Sequence, residues 1–304
     1  VRTAEFAMHE LMNGAGGFCA GLDADSEGEE GLFYTWSHDE LSALLGDDFP
    51  LVAGYWGVSR EGHLDGHSIL HLAAFPEKFA TGQALSAEQL AEIISRGSEK
   101  MLAARSRREP PLRDPKVICA WNGLMISALV RLGSVTGDDR WLQAAAGTAR
   151  FILQNMVTPE GRLLRNWLRT PAPVSAFAED YAFFCLGLAD LAAVSAAPLW
   201  SEKLNYFGRE LRRLFLDKQG KLSFSGLDAE ALPISIQPVQ DGVMPSAAGA
   251  CATLFIRMAG IFTDSSFAAA AAGIIRNSRG MTEKSPAACL SLIMAEEELL
   301  TQSA

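Results

Sequence analysis

The sequence has few of the residues that would tie it to a metal, a membrane or a nucleic acid. It contains five histidines and five cysteines, with no CxxC pair among them, so neither a disulfide framework nor a zinc knuckle is expected. No apolar run reaches membrane-spanning length. The formal net charge of -10 would repel a phosphate backbone. We therefore expect no nucleic acid, membrane or cofactor as a partner, and a reducing, cytoplasmic location.

Three of the histidines, His63, His67 and His71, lie four residues apart. On a helix this spacing would form a metal-binding face. Gly62 and Gly66 argue against a helix here, and no carboxylate completes a zinc-protease pattern. We therefore expect no metal site and keep His71 only as a candidate substrate-binding residue.

What the sequence does contain is a globular composition and an internal repeat. Hydrophobic residues make up 49% of the 304 residues and charged residues 20%, which predicts a folded chain with a large core. Two windows align without gaps, 129–152 and 255–278. The alignment pairs Asp138 with Asp264 and Trp141 with Phe267, and a weaker copy places Trp200 at the same aromatic position.

A repeat of about sixty residues suits a hairpin of two helices with its connections. Asp138 and Asp264 are predicted N-caps, and the aromatic three residues later is predicted to pack back on the preceding helix. Apolar periodicity predicts about nine long helices, near 1–13, 86–107, 116–136, 139–156, 177–195, 199–216, 245–262, 264–277 and 284–300.

Two stretches depart from this helical pattern. Residues 14–75 are rich in glycine and aromatics and contain strand-like segments at 32–36 and 52–58. Residues 220–226 also look extended. We interpret these stretches as small β insertions at one rim of an all-α ring of helical hairpins, where loops on a rigid scaffold commonly carry function.

The first candidate site lies in residues 21–36. Here Asp23 and Asp25 stand among further acids and beside Tyr34 and Trp36. Crowded carboxylates can hold different pKa values, so that one acts as an acid while another stays ionised. The alternative is a capped, solvated acidic turn.

The second candidate is Lys116 followed by Trp121 and Asn122 at a predicted helix start. The indole offers a stacking surface and the amide both donates and accepts hydrogen bonds. The alternative is a tryptophan of the core with Asn122 as a cap.

Two further acidic clusters open predicted helices. Glu179 and Asp180 precede Tyr181, and Asp241 precedes Ser246. The helix dipole and helix capping explain acids at these positions without any function. In a closed ring of hairpins, however, alternate helix ends converge at one rim, so the clusters also predict a common acidic and aromatic pocket.

Four segments, LDADSEGEEGLFYTW, DPKVICAWNGLM, AFAEDYAF and DGVMPSAAG, resemble in this order the motifs of the YyaL family of thioredoxin-domain-containing proteins, which includes the spermatogenesis-associated relatives. The resemblance implies an N-terminal thioredoxin-like domain followed by an (α/α)6 toroid of the six-hairpin glycosidase type, similar to N-acylglucosamine 2-epimerases and several glycoside hydrolases.

The resemblance also implies that 1–304 is a single, incomplete toroid domain, in a fragment or a shortened relative, because about nine of twelve family helices are expected and no thioredoxin-like stretch is present. Two departures from the family motifs stand out. Pro115 replaces an aspartate, and Ala247 and Ala248 replace a Gly-Asn pair.

Two functions follow from this reading. The first is a carbohydrate-active or carbohydrate-binding protein, glycosidase-like or isomerase-like. Its general acids and bases would come from Asp23, Asp25, Glu179, Asp180 and Asp241. Its binding groups would be Tyr34, Trp36, His71, Lys116, Trp121, Asn122, Tyr181 and Ser246. The second is a non-catalytic interaction scaffold attached to a thioredoxin-like redox domain, because fold alone does not establish chemistry.

Overall fold

The structure is a computed structural model that describes residues 1–168, 170–171, 174–229 and 237–302. Its contacts divide the chain into two compact units. Unit 1 comprises Val1–Ala20 with Pro115–Ala304, and unit 2 comprises Gly21–Asp114. Unit 2 is therefore an insertion in the chain of unit 1. The single-domain organisation over 1–304 stays a prediction.

The helices and strands follow one another as α1 (Arg2–Phe6), a π-helical turn (Ala7–Leu11), β1 (Gly21–Leu22), β2 (Asp25–Ser26), β3 (Glu29–Glu30), β4 (Trp36–Ser37), α2 (His38–Leu45), a 3₁₀ turn (Gly46–Asp48), α3 (Phe49–Tyr55), β5 (His67–Ser68), α4 (Pro76–Gly82), α5 (Ala87–Arg105), β6 (Arg113–Asp114), β7 (Val117–Ile118), α6 (Cys119–Thr136), α7 (Asp139–Asn155), β8 (Asn166–Leu168), β9 (Thr170–Pro171), α8 (Ala178–Val194), α9 (Pro198–Phe215), α10 (Ala247–Phe262), α11 (Ser265–Lys284), a second 3₁₀ turn (Pro286–Ala288) and α12 (Leu290–Gln302). Each long helix predicted from the periodicity is present except the first, because the segment predicted at 1–13 is a five-residue α-helix followed by a π-helical turn. The helix predicted at 284–300 begins only at Leu290.

The strand predicted at 52–58 is wrong, because most of it lies in α3 or the turn after it. Pro50 stands in the first turn of α3, where its missing N–H costs nothing. A short apolar run cannot be assigned to helix or strand by periodicity alone. Of the strand predicted at 32–36, only Trp36 is in a strand, and the residues before it form a turn.

Unit 1 has an inner and an outer set of helices. Helix α6 packs on α8, α8 on α10 and α10 on α12, whereas α7, α9 and α11 pack on the outside of α6, α8 and α10. The inner helices are apolar on nearly all sides, and α8 buries both Phe183 and Phe184 within its first turns. The outer helices bury one apolar stripe, as in α9, where Trp200, Leu204 and Phe207 face inward. The inner helices need a wider apolar surface than the outer ones because neighbouring helices cover them on more than one side.

Each outer helix returns the chain to the end at which its inner helix began. After α7, Trp167 of β8 pairs with Val117 of β7, just before α6. After α9, the carbonyl of Phe224 accepts a hydrogen bond from the backbone N–H of Ala178, the first residue of α8, at 3.1 Å. After α11, the carbonyl of Ala288 accepts one from Asp241 at 2.7 Å. We call this end of unit 1, where the inner helices begin, the rim.

A turn that the repeat alignment missed recurs three times in unit 1. Its ends are joined by the bridges Met12↔Phe18, Val157↔Leu163 and Leu216↔Leu222. In each copy the second residue is polar and its side chain accepts backbone hydrogen bonds within the turn, as Asn13, Thr158 and Asp217 do. The fifth residue is a glycine with positive φ: Gly16, Gly161 and Gly220.

These turns also join neighbouring outer helices. The glycines lie against α7, α9 and α11 respectively, at Gly147, Tyr206 and Gly273. Each of these three positions follows the buried aromatic of its helix by six residues. The structural repeat therefore consists of an outer helix, a glycine turn that packs on the next outer helix, and an inner helix.

The predicted caps are confirmed in two of the three aligned copies. The side chain of Asp138 accepts a hydrogen bond from the N–H of Arg140 at 3.1 Å, and that of Asp264 accepts one from Ser266 at 3.0 Å. Phe267 stacks on Phe255 of the preceding helix with 5.8 Å between ring centroids. The middle copy differs, because Ala197 is the N-cap of α9 and has no side-chain hydrogen bond to offer.

Unit 2 has its own small core and three two-stranded sheets. The strands pair as β1–β6, β2–β3 and β4–β5, all antiparallel. Its core cluster comprises the buried side chains of Trp36, Leu41, Leu45, Val52 and Met101. The helix predicted at 86–107 as part of the ring is α5, and the structure groups it with this unit instead.

All five cysteines are buried and carry free thiols. Within the part of the chain that the structure describes, no helix combines the length and apolar character that crossing a bilayer requires.

Candidate functional site

The centre of the candidate site is Asp180, which joins the starts of α6 and α8 at the rim. One carboxylate oxygen, Oδ1, accepts a hydrogen bond from the N–H of Ala120 in α6 at 3.1 Å. The other, Oδ2, accepts one from the N–H of Phe177, the N-cap of α8, at 2.9 Å. A carboxylate at two helix N-termini pairs otherwise unsatisfied N–H groups and interacts favourably with both dipoles.

Arg165 completes this cluster from the segment before β8. Its Nη1 donates to Glu179 Oε1 at 2.9 Å and lies 3.4 Å from Asp180 Oδ2. The guanidinium also stands 4.8 Å from the centre of the Phe177 ring. The side chain of Asp180 is 0% exposed, whereas those of Glu179 and Arg165 are 17% and 32% exposed. A ligand can therefore reach the Arg165–Glu179 pair but not Asp180.

Burial raises the pKa of Asp180 to about 7, against the opposing effect of the Phe177 N–H and of Arg165. Burial lowers the pKa of Arg165, but its hydrogen bond to Glu179 and the charges of Glu179 and Asp180 outweigh this effect and raise that pKa overall. The guanidinium thus stays charged while Asp180 exchanges its proton near neutral pH.

Trp121 and Asn122 begin α6 beside this cluster but have different surroundings. Trp121 is 44% exposed, so its ring is available for stacking. Asn122 is buried and its amide is fully engaged within the chain. Its Oδ1 accepts from the N–H of Phe18 at 2.8 Å, and its Nδ2 donates to the carbonyls of Phe18 and Ile118, both at 2.9 Å. Asn122 therefore fixes the glycine turn before unit 2 to α6. The exposed Lys116 lies immediately before β7.

Tyr181 lies in the core. It is 0% exposed, its hydroxyl accepts a hydrogen bond from the N–H of Leu163 at 3.0 Å, and its ring packs near those of Phe207 and Phe215. Burial raises its pKa to about 12. Tyr181 thus packs in the core of unit 1, next to Asp180 in sequence, and does not face solvent.

Asp241 forms a second interhelix cap at the rim, between α10 and α12. Its Oδ1 accepts from the N–H of Ser246, and its Oδ2 accepts from the N–H of Ser291, both at 2.8 Å. The two serine hydroxyls lie 3.1 Å apart. Burial raises the pKa of Asp241, but the hydrogen bonds from Ser291 and Ser246 outweigh it and hold the pKa below its usual value.

The remaining candidates lie in unit 2. Asp23 and Asp25 are exposed, and Asp25 pairs with Glu30 in the β2–β3 hairpin. Tyr34 is 38% exposed. Trp36 is 2% exposed, and the guanidinium of Arg108 lies 4.1 Å from the centre of its ring.

His71 is exposed, and its ring centroid lies 5.1 Å from that of His63. Across the described ranges, no three histidine, cysteine, aspartate or glutamate side chains are grouped as a metal site would require.

The structure thus brings together one subset of the predicted residues. Trp121, Asn122, Glu179, Asp180 and Tyr181 share the α6–α8 end of the rim, while Asp241 and Ser246 share the α10–α12 end. Sequence reasoning missed the two residues that complete these clusters, Arg165 at the α6–α8 end and Ser291 at the α10–α12 end.

One missed group is Arg165, which stands in a short strand region without helical periodicity, and the other is Ser291 in α12. The only signal for Arg165 was its position fourteen residues before Glu179, between an outer and an inner helix.

The architecture belongs to the class of α/α toroids of the six-hairpin glycosidase type, as predicted. The structure is similar to that of a GH76 alpha-mannanase of Bacteroides thetaiotaomicron with a TM-score of 0.51, at 12% sequence identity, over 86% of this chain and 79% of the mannanase. At this identity the similarity establishes the fold alone.

By sequence, the chain is homologous to spermatogenesis-associated protein 20. It is 31% identical to the protein of Homo sapiens over 84% of this chain, and 30% identical to that of Rattus norvegicus, also over 84%. The match covers 37% of the length of each relative. No protein-family model matches the chain.

Proposed function

We propose that the rim of unit 1 binds a saccharide and that Trp121, Arg165 and Glu179 are the groups that contact it. The observation that carries the proposal is the accessible Arg165–Glu179 ion pair, held by a carboxylate with 0% exposure at the common start of two inner helices. The likeness of the fold to that of an alpha-mannanase supports a carbohydrate as the ligand class.

The chemistry of these side chains suits a sugar. An exposed indole covers the apolar C–H face of a pyranose, and the guanidinium and carboxylate can share hydrogen bonds with its hydroxyl groups. Charge-assisted hydrogen bonds are about twice as strong as neutral ones. Asp180 acts as a positioning residue, because it holds α6, α8 and Arg165 in register without reaching the ligand.

If the bound sugar reacts, Glu179 is the acid or base of this cluster, since it is the acidic side chain there that a ligand can reach. General acid–base catalysis contributes about 10²–10⁴-fold in rate.

The other predicted residues enter the proposal in two ways. Asn122 and Tyr181 are buried and support the α6–α8 end, and Asp241 with Ser246 supports the α10–α12 end. Lys116 is proposed to contribute to the same ligand. Asp23, Asp25, Tyr34 and His71 stay predicted site residues of unit 2 taken by itself, whereas the predicted binding residue Trp36 is buried there.

A second candidate function is a non-catalytic scaffold attached to a thioredoxin-like domain in the full-length chain, as in the YyaL-type family, acting in the cytoplasm. One observation favours it. Asp180 and Asp241, two of the acids expected to do chemistry, both use their carboxylate oxygens to cap pairs of helices.

Titration calorimetry of the full chain with a panel of mono- and disaccharides tests the proposal. We expect one saccharide class to bind and the Trp121→Ala variant to bind it about tenfold more weakly, because a stacked ring contributes roughly 1 kcal/mol or more. The matched control is Phe75→Ala, which removes an exposed ring from unit 2. Absence of binding across the panel, or equal loss in both variants, would favour the scaffold. Assaying the binding saccharide for conversion by wild type and Glu179→Gln separates an enzyme from a binding protein.

A further inference from the structure

The second feature of unit 1 is a cavity far from the rim, between the outer helices α7 and α9. It has a volume of about 590 Å³, within the range of small-molecule sites. It lies where α7 and α9 begin and α8 ends, which is the opposite end of the inner helices from Asp180. Residues that line it include Leu142, Ala146, Arg150, Leu191, Ala197 and Trp200.

The internal repeat explains why this cavity exists. Arg150 of α7 and Arg209 of α9 each follow the buried tryptophan of their helix by nine residues. Arg209 stands over the ring of Phe267 in the next outer helix at 5.3 Å, and Arg150 stands over the equivalent ring of Trp200 at 5.5 Å. The two arginines are thus the same element of two successive repeats.

The partners of the two arginines differ. Arg209 donates to Asp264 Oδ2 at 3.0 Å and to Asn205 Oδ1 at 2.9 Å. In the preceding repeat the position of Asp264, three residues before the aromatic, is Ala197.

The position of Asn205, five residues after the helix's own tryptophan, is Ala146. Both alanines line the cavity. Among the described residues, no carboxylate forms an ion pair with Arg150.

We propose that this cavity binds a small monocarboxylic acid, whose carboxylate takes on Arg150 the place that Asp264 holds on Arg209. The internal copy shows that this arginine, above an aromatic ring, receives a carboxylate in the same helix geometry. The walls supplied by Leu142, Leu191 and Trp200 accommodate an apolar body behind the charged group. The inference does not depend on the saccharide proposal, because the two sites share no residue.

The other charged group of the cavity limits the class of ligand. Asp139 lies eleven residues before Arg150 on α7, about 16 Å along the helix axis. A second negative charge at the far end of the ligand would meet this carboxylate. A monoanion with an uncharged apolar body therefore fits better than a long diacid with a carboxylate at each end.

The test is titration of the full chain with phenylacetate, with phenylacetamide as the uncharged match. We expect phenylacetate to bind at millimolar concentration or below, and the amide about tenfold more weakly, since a hydrogen bond to a charged group is involved. Arg150→Gln should weaken phenylacetate binding about tenfold. Arg276→Gln, which neutralises an exposed arginine of α11, should leave it unchanged.

A second variant restores the missing side chain of the repeat. Ala197→Asp should place a carboxylate beside Arg150 and cap α9, so that phenylacetate binding is lost while the melting temperature rises. Its folding is checked by circular dichroism, and Arg150→Gln stands alone if the variant misfolds. The proposal is overturned if phenylacetate and phenylacetamide bind equally or not at all, or if folded Ala197→Asp or Arg150→Gln binds as the wild type does.

Discussion

Replacing Asp180 with asparagine tests the central claim about the rim, because it keeps the shape of the side chain and removes one acceptor. The carboxylate satisfies the N–H groups of Ala120 and Phe177 with different oxygens. An asparagine has a single acceptor oxygen, so its NH₂ group must face one of these two donors. One buried helix N-terminus then loses its cap, and Arg165 loses part of its charge compensation.

The expected cost is about 2 kcal/mol. Loss of a cap costs about 1 kcal/mol, and leaving a buried donor unpaired costs about 1–3 kcal/mol. Removing a buried, partly ionised group offsets part of this sum. For a chain of this size the melting temperature should fall by about 3 °C.

Urea unfolding followed by circular dichroism measures this difference. The control is Asp138→Asn at an outer N-cap, where the side chain is 38% exposed and asparagine caps as well as aspartate. We expect the control to change the unfolding free energy by less than about 0.5 kcal/mol. A change equally small for Asp180→Asn would refute the interhelix cap, and loss of catalysis without loss of stability would make Asp180 a catalytic acid instead.

Two more predictions concern the same helix pair. Because burial raises the pKa of Asp180 to about 7, the folded state binds more protons than the unfolded state between about pH 4 and 7, so the contribution of Asp180 to stability should fall as pH rises through that window and level off above it. Urea unfolding at several pH values should show the difference in unfolding free energy between wild type and Asp180→Asn widening towards pH 4. A difference that does not change with pH would contradict this prediction. At Gly123 a methyl group would overlap the backbone of Phe183 in α8, so Gly123→Ala should lower the free energy of urea unfolding by about 1–3 kcal/mol. The control is Gly260→Ala, which has open space around it and should raise this free energy slightly.

The helices of unit 1 were predictable because their signals are local. Asp138 and Asp264 cap the helices that follow them within three residues, and the buried aromatics recur at a fixed distance from these caps. The glycine turns were equally local but went unnoticed, since only one apolar residue on each side and one glycine mark them.

The site was less predictable because its contacts are distant in sequence. Asp180 and Ala120 are sixty residues apart, and Asp241 and Ser291 fifty. An acid followed by an aromatic looks the same in sequence whether it caps a neighbouring helix or faces a ligand. The burial of Trp36 likewise depends on the packing of unit 2, which the composition of 14–75 did not indicate.

The antiparallel pairing of β1 with β6 places the first and last residues of unit 2, Gly21 and Asp114, opposite each other. The polypeptide therefore leaves unit 1 and rejoins it at neighbouring points, so the two ends of unit 2 meet in one strand pair. Closure of such a loop becomes only slowly more costly with length. We therefore expect that insertions and deletions within unit 2 are tolerated while the order of helices α6 to α12 stays the same.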